Sequence, residues 1–206
     1  MKSKLVKVKI CGIKKLEDAQ FAAKCGADFI GFIFFKDSPR YIEPEEAFDI
    51  ISNLPEGIKT VGVFVNQTRE EIKNIVRSCK LSYVQLHGDE TPEFINELEF
   101  PTIKAIRLKE EKDLEDLRKF DVFAYVFDSR DEHLYGGTGK TFDLSILENK
   151  KIERPFFMSG GLNPENVAGI ISRLKPYGVD VSSGVETSPG VKDHQKIIAF
   201  IKAVKG

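Results

Sequence analysis

Apolar, β-branched runs recur along the chain, and stretches of helical periodicity lie between them. Leu5 to Ile10 interleaves leucine, valine and isoleucine with lysine and predicts a strand, followed by a helix from about Leu16 to Lys24. Asp28 to Phe34 (DFIGFIF) is continuously apolar, as a strand covered on both faces should be. A turn at Asp37-Ser38-Pro39-Arg40 leads to a helix opened by Pro44 in its first turn. Thr60 to Val65 is a third strand, and Thr68 with Glu71 makes a capping box for the helix after it. Ser82 to Leu86 is the fourth strand, and Thr91-Pro92-Glu93 starts another helix. Thr102 to Ile106 is the fifth, followed by a highly charged helix through Arg118, and Val122 to Phe127 is the sixth. Pro155 to Met158 and Val179 to Val181 supply the seventh and eighth, with a helix between them. A helix from about Asp193 to Val204 closes the chain.

Strictly alternating strands and helices predict an α/β protein with a parallel sheet and helices outside it. Roughly eight units of about 25 residues each match a closed (β/α)8 TIM barrel, which spans 1–206 as a single domain. The rival is a doubly wound open sheet with a dinucleotide site. Its G-x-G-x-x-G is missing after the first strand, where the chain reads Cys11-Gly12-Ile13-Lys14. One connection breaks the regular spacing: Ser129 to Lys140 (SRDEHLYGGTGK) is long, polar and glycine-rich, and such loops are lids or binding loops.

Composition narrows the partners. Net charge is −1, which gives no reason to expect a nucleic acid or an anionic membrane surface. No apolar run approaches the roughly 20 residues of a membrane span, and the lysine-interleaved amino end reads as a strand and not as a signal peptide. Charged residues make up 31% of the chain in nearly equal numbers of each sign, which points to surface ion pairs. Cys11, Cys25 and Cys79 are odd in number and widely spaced. They suit neither a disulfide framework nor a zinc site, so a reducing, cytoplasmic location is expected.

Twin glycine-bearing turns, Ser159-Gly160-Gly161 and Ser182-Ser183-Gly184, each follow a strand one βα unit apart. Glycine lets backbone approach a ligand closely and accepts φ > 0, and a barrel of this kind holds phosphate after its last two strands. Reading the other predicted strand ends gives Cys11, Gly31, Asn66, His87, Arg107 and Asp128, which implies a pocket of mixed polarity for a small phosphorylated substrate.

Several of these residues carry two readings. Cys11 is either a small buried hydrophobe, the commonest fate of a free cysteine, or a thiol activated by a nearby positive charge or helix end. No histidine is near it in sequence, which favours base over nucleophile. Asp128 either caps the long loop or sets a carboxyl group on the pocket floor, where partial burial raises its pKa and suits it to general-acid work. Strands one and six are expected on opposite walls, flanking a substrate. Arg40 is a surface arginine or a bidentate clamp on a carboxylate. His87 is a shuttle, a hydrogen-bond donor or a turn residue, while His133 and His194 read as loop and helix-start residues. No ligand spacing suggests a metal. Gly139-Lys140-Thr141 is not a nucleotide P-loop, because Leu134 stands where that motif needs glycine.

Eight segments in this order carry a resemblance: Val8 to Ile13 (VKICGI), Ser38 to Tyr41, Val61 to Asn66, Val84 to Gly88, Phe127-Asp128, Gly136 to Asp143, Ser159 to Asn166 and Val179 to Glu186. Over essentially its whole length the chain resembles the phosphoribosylanthranilate isomerases of the tryptophan pathway. The resemblance implies a cofactor-free barrel, monomeric or homodimeric, that converts N-(5-phosphoribosyl)anthranilate to 1-(o-carboxyphenylamino)-1-deoxyribulose 5-phosphate by an Amadori rearrangement. It implies Cys11 as general base, Asp128 as general acid and Arg40 on the anthranilate carboxylate. The phosphate would fall to Gly160, Gly161, Ser183 and Gly184, with His87 and Asp180 lining the pocket. One departure is Leu144, where the family commonly has tryptophan. An ionised thiol beside a neutral carboxylic acid reverses the ordinary order of about 8.5 and 4. The site must shift one of them or work through a minority protonation state.

Overall fold

A computed structural model describes residues 5–108, 110–128, 144–148 and 150–206. The predicted loop Ser129 to Lys140, with His133 and the Gly139-Lys140-Thr141 segment, lies outside the described residues, as does the side chain of Leu144.

Eight strands run in sequence around a closed parallel barrel: β1 Lys7–Cys11, β2 Phe29–Ile33, β3 Lys59–Phe64, β4 Tyr83–Leu86, β5 Thr102–Arg107, β6 Ala124–Asp128, β7 Phe156–Ser159 and β8 Gly178–Val181. The barrel closes where β1 pairs with β8, with Lys9 opposite Asp180. In this order β5 stands across from β1, and β6 is three strands from β1 through β8 and β7. Cys11 and Asp128 therefore flank the barrel mouth obliquely, not from opposite walls as the strand count suggested. Gly31, expected at a strand end, sits two residues inside β2 and pairs with Cys11.

The outer layer follows the local signals. Helix α1 (Leu16–Cys25) stops at Gly26 in the left-handed region, and α2 (Pro44–Ser52) opens on its proline. The capping box of Thr68 and Glu71 starts α3 (Arg69–Cys79), with hydrogen bonds in both directions. Thr91 caps the five-residue α4 (Pro92–Asn96). Helix α5 (Val167–Leu174) lies between β7 and β8, and the Asp193 carboxylate caps α6 (His194–Lys205). No helix among the described residues is long and apolar enough to cross a membrane.

The predicted charged helix after β5 is instead two 3-10 turns, Glu111–Leu114 and Leu117–Lys119. Leu117 is the one buried side chain in these two turns. A helix of this length needs an apolar face packed on the barrel, and one leucine does not supply it.

Two packed layers result. Val8, Ile10, Ile30, Phe32, Val84 and Leu86 point outward and meet the helices. Phe29, Val61, Ile103, Ala105, Ala124, Val126 and Phe157 fill the barrel interior. Aromatic rings seal the amino-terminal end of that interior. Phe29 meets Phe157 edge-on at 5.3 Å, and Tyr83, Phe123 and Tyr177 extend the cluster. Each such pair adds about 0.5–1.5 kcal/mol beyond its buried area. With the floor sealed, a ligand enters from the carboxyl ends of the strands.

Candidate active site

Period-two alternation decides which side chains reach the barrel mouth. In β1, Val8 and Ile10 pack against the helices, so Lys9 and Cys11 face inward, and Lys9 is fully buried. The same rule puts Gln85 and His87 on one face of the fourth strand and its end, and Asp180 with Ser182 on the eighth. Cys11, Arg40, Gln85, His87, Asp128, Gly160, Gly161, Asp180, Ser182 and Ser183 together line one cleft of about 840 Å³, its open mouth included.

Not every predicted strand-end residue joins it. Asn66 braces a neighbouring loop, its side-chain oxygen accepting from the Asp89 amide at 2.7 Å, and Arg107 lines a separate depression with Lys104. Gly184 lies behind the cleft wall, packed against the carbonyl of Leu162. Cys25 and Cys79 end their helices far from these residues in the chain, and Cys79 is buried against the Pro44 carbonyl.

Beside Cys11, the Lys9 ammonium donates to Asp180 Oδ2 and to Gln85 Oε1, both at 2.7 Å. Burial opposes the Lys9 charge, but Asp180 and Cys11 outweigh it and hold the ammonium above its ordinary pKa. Gly31 makes room here, because a Cβ on it would fall 2.8 Å from Cys11 Sγ and 3.1 Å from Lys9 Cε. Burial pushes the Cys11 thiol up, and the Lys9 and Lys192 ammoniums only partly offset this. The site therefore does not lower the thiol to make a resident thiolate. Asp180 Oδ1 is buried and accepts no hydrogen bond from the described residues. An unpaired carboxylate oxygen costs stability unless a ligand donor meets it.

At the other side, His87 Nε2 lies 3.2 Å from Asp128 Oδ2, and both side chains are largely buried. Gln85 Nε2 lies 3.2 Å from His87 Nδ1.

Arg40 is held by Glu186. Its Nε donates to Oε1 at 2.9 Å and its Nη2 to Oε2 at 2.6 Å. Lys192, fully buried, also donates to Glu186 Oε1 at 2.8 Å and to the Cys11 carbonyl at 2.6 Å. Burial alone would raise the Glu186 carboxyl, yet the hydrogen bonds from Arg40 and Lys192 hold it below the usual carboxylate range. Burial depresses the Lys192 ammonium despite that carboxylate. A short antiparallel pair, β9 Glu186–Ser188 and β10 Val191–Lys192, brings these two residues together. Sequence reading missed Lys9, Gln85, Glu186 and Lys192 as members of the site. The first two share strand parity with Cys11 and His87, two residues on, and that is the signal that could have found them once those two are placed inward.

The two glycine turns differ: the left-handed backbone belongs to the first, and Gly184 of the second has no positive φ. Gly160 and Gly161 have φ of 85° and 65°, the left-handed region that glycine enters without strain. The Asn166 side chain donates to the Gly161 carbonyl at 3.0 Å and holds the first turn in place. Ser183 opens a 3-10 turn, Ser183–Val185. An arginine held by Glu186, two small-residue turns and a polar, acid-bearing wall suit a ligand with anionic groups at both ends.

The family model for N-(5'phosphoribosyl)anthranilate (PRA) isomerase matches residues 8–203. The N-(5'-phosphoribosyl)anthranilate isomerase of Geobacter sulfurreducens is 46% identical over 202 residues, which cover 98% of this chain and 100% of that protein. The crystal structure of phosphoribosyl anthranilate isomerase from Thermotoga maritima superposes with a TM-score of 0.91 at 45% identity, covering 98% of this chain and 100% of that one. A phosphoribosyl anthranilate isomerase solved in complex with reduced 1-(o-carboxyphenylamino)-1-deoxyribulose 5-phosphate gives a TM-score of 0.86 at 42% identity, again covering 98% and 100%.

Proposed function

The chain belongs to the N-(5'-phosphoribosyl)anthranilate isomerase family, isomerases of tryptophan biosynthesis, and we propose that it works with Asp128 as general acid and Cys11 as general base. The observation that carries this reading is the convergence of Cys11, Asp128 and Arg40 on one cleft with the two small-residue turns.

The phosphate of N-(5-phosphoribosyl)anthranilate sits against the backbone of Gly160, Gly161 and Ser183, with Gly184 permitting the close packing behind them. The anthranilate carboxylate meets Arg40. Two cations, Arg40 and Lys192, stand against the single carboxylate of Glu186. That corner therefore keeps a net positive charge for the incoming anion. A relative binds the reduced product analogue, which supports a cleft that takes the phosphosugar and the aromatic acid together. Asp180 Oδ1 accepts a hydrogen bond from the ligand, which satisfies the oxygen left without a partner among the described residues.

Asp128 protonates the furanose ring oxygen as the C1–O bond breaks, and the nitrogen lone pair forms the Schiff base. Cys11 then takes the proton from sugar C2, giving an enolamine. Moving one proton from the C2 hydroxyl to C1 yields the ketone with no net change. The enzyme is left with a proton gained at sulfur and one lost at carboxylate. It resets when one returns to Asp128 and one leaves Cys11. No step calls for a cofactor or metal. General acid and base each contribute about 10²- to 10⁴-fold in such reactions.

The test is fluorimetric. Purified protein mixed with phosphoribosylanthranilate should convert it in an assay that follows loss of the anthranilate signal. A protein that binds the substrate without converting it is a phosphometabolite-binding domain and not an isomerase.

A further inference from the structure

A line of hydrogen bonds, buried at its Lys9 end and part-buried at His87, crosses the floor of the cleft from the base side to the acid side. Lys9 Nζ reaches Gln85 Oε1 at 2.7 Å, Gln85 Nε2 reaches His87 Nδ1 at 3.2 Å, and His87 Nε2 reaches Asp128 Oδ2 at 3.2 Å. Lys9 and Gln85 are 0% and 1% exposed, so water does not compete for these groups.

Donor and acceptor chemistry makes this line directional. A lysine ammonium has donors only, so the Gln85 group facing it must be the carbonyl oxygen. The other end of the amide, the NH₂, then faces His87, and an amide nitrogen only donates. His87 Nδ1 must accept, which puts the ring proton on Nε2. That N–H donates to Asp128 Oδ2, so a proton held by the carboxylic acid belongs on Oδ1. Lys9 is itself locked, because Asp180 Oδ2 takes another of its protons at 2.7 Å. The orientation of one amide thus selects a tautomer, and the tautomer selects an oxygen.

We infer that Lys9 and Gln85 are positioning residues for the acid: through the Gln85 amide they fix the Nε2–H tautomer of His87, and through it the oxygen of Asp128 that carries the transferable proton. The inference rests on Asp128 as the acid, but its first half is independent of that role. A base-orienting third group is a recurrent device for holding an imidazole in one tautomer. Here the device is turned toward a carboxylic acid.

The experiment is long-range ¹H–¹⁵N correlation of the imidazole rings in the full-length protein. The chain has three histidines, so His87 is assigned by its loss in His87→Asn. The expected wild-type signature is a protonated Nε2 and an unprotonated Nδ1. Gln85→Glu places a carboxylate oxygen against Nδ1 and should switch the ring to Nδ1–H. Its kcat should fall by about tenfold or more, a part of what a general acid supplies, with KM within a few-fold. Gln85→Leu, which removes both contacts, should give mixed tautomers and a smaller loss, and it serves if Gln85→Glu does not fold. A wild-type ring protonated at Nδ1, alone or with Nε2, overturns the inference. So does a variant that switches tautomer with kcat unchanged. Normal turnover in Asp128→Asn with the expected wild-type tautomer would instead overturn the acid assignment alone.

Discussion

Arg40 Nε and Nη2, on one edge of the guanidinium, donate to the two carboxylate oxygens of Glu186 at 2.9 and 2.6 Å, across 146 residues of chain. The contact fixes the arginine at the cleft wall, and Lys192 keeps the corner cationic. Removing the arginine by Arg40→Ala should raise KM for phosphoribosylanthranilate about 10- to 100-fold, the equivalent of a charged hydrogen bond of about 1.5–3 kcal/mol. The value of kcat should change only a few-fold. An unchanged KM in steady-state assays contradicts a carboxylate role for Arg40.

Burial raises the Cys11 thiol above its ordinary value, and the sign of the pH response follows. With Cys11 as base and Asp128 as acid, as proposed, the working state needs the thiol ionised and the carboxyl protonated. Its population is flat between the two pKa values and falls once the pH passes the thiol's. The alkaline limb of kcat/KM should therefore lie above about 8.5, where a free thiol titrates. Alkylation of Cys11 by iodoacetamide should reach half its maximal rate at the same pH. A limb below that of a free thiol is the contrary result.

Lys9 and Asp180 form an ion pair with side chains 0% and 5% exposed. Lys9→Met leaves the carboxylate buried without its cation and should cost about 3–5 kcal/mol in urea unfolding. Replacing both, as Lys9→Met with Asp180→Asn, should recover part of that loss while leaving the protein inactive. A loss under about 1 kcal/mol in the single variant would mean that water reaches Asp180.

Much of this was legible from the apolar runs alone. Runs such as Asp28 to Phe34 and Val122 to Phe127 marked the barrel strands, and their ends pointed to Cys11, His87 and Asp128. The lysines of β1 were harder to place, because a strand with alternating lysine and valine ordinarily turns its lysines to water. Lys9 is buried because a carboxylate lies beside it on β8, and that pairing forms only when the barrel closes. Glu186 and Lys192 gave no signal because the hairpin that joins them has no apolar period. The charge-rich segment after β5 had helical composition without an apolar face, and tertiary packing decided against the helix.

A Cβ on Gly184 would lie 1.9 Å from the Leu162 carbonyl oxygen, and that contact is to backbone that cannot swing aside. Gly184→Ala should force the two turns apart, costing about 1–3 kcal/mol of stability by overpacking. It should also weaken competitive inhibition by inorganic phosphate. Wild-type inhibition with a wild-type melting midpoint would show that the turns tolerate the displacement.

The assignment of acid and base is tested most directly by turnover in Asp128→Asn and Cys11→Ser, each paired with a binding measurement for the reduced product analogue. Both should lose about 10²- to 10⁴-fold in kcat while binding the analogue within a few-fold of wild type. Near-normal turnover in either variant contradicts the role given to that residue.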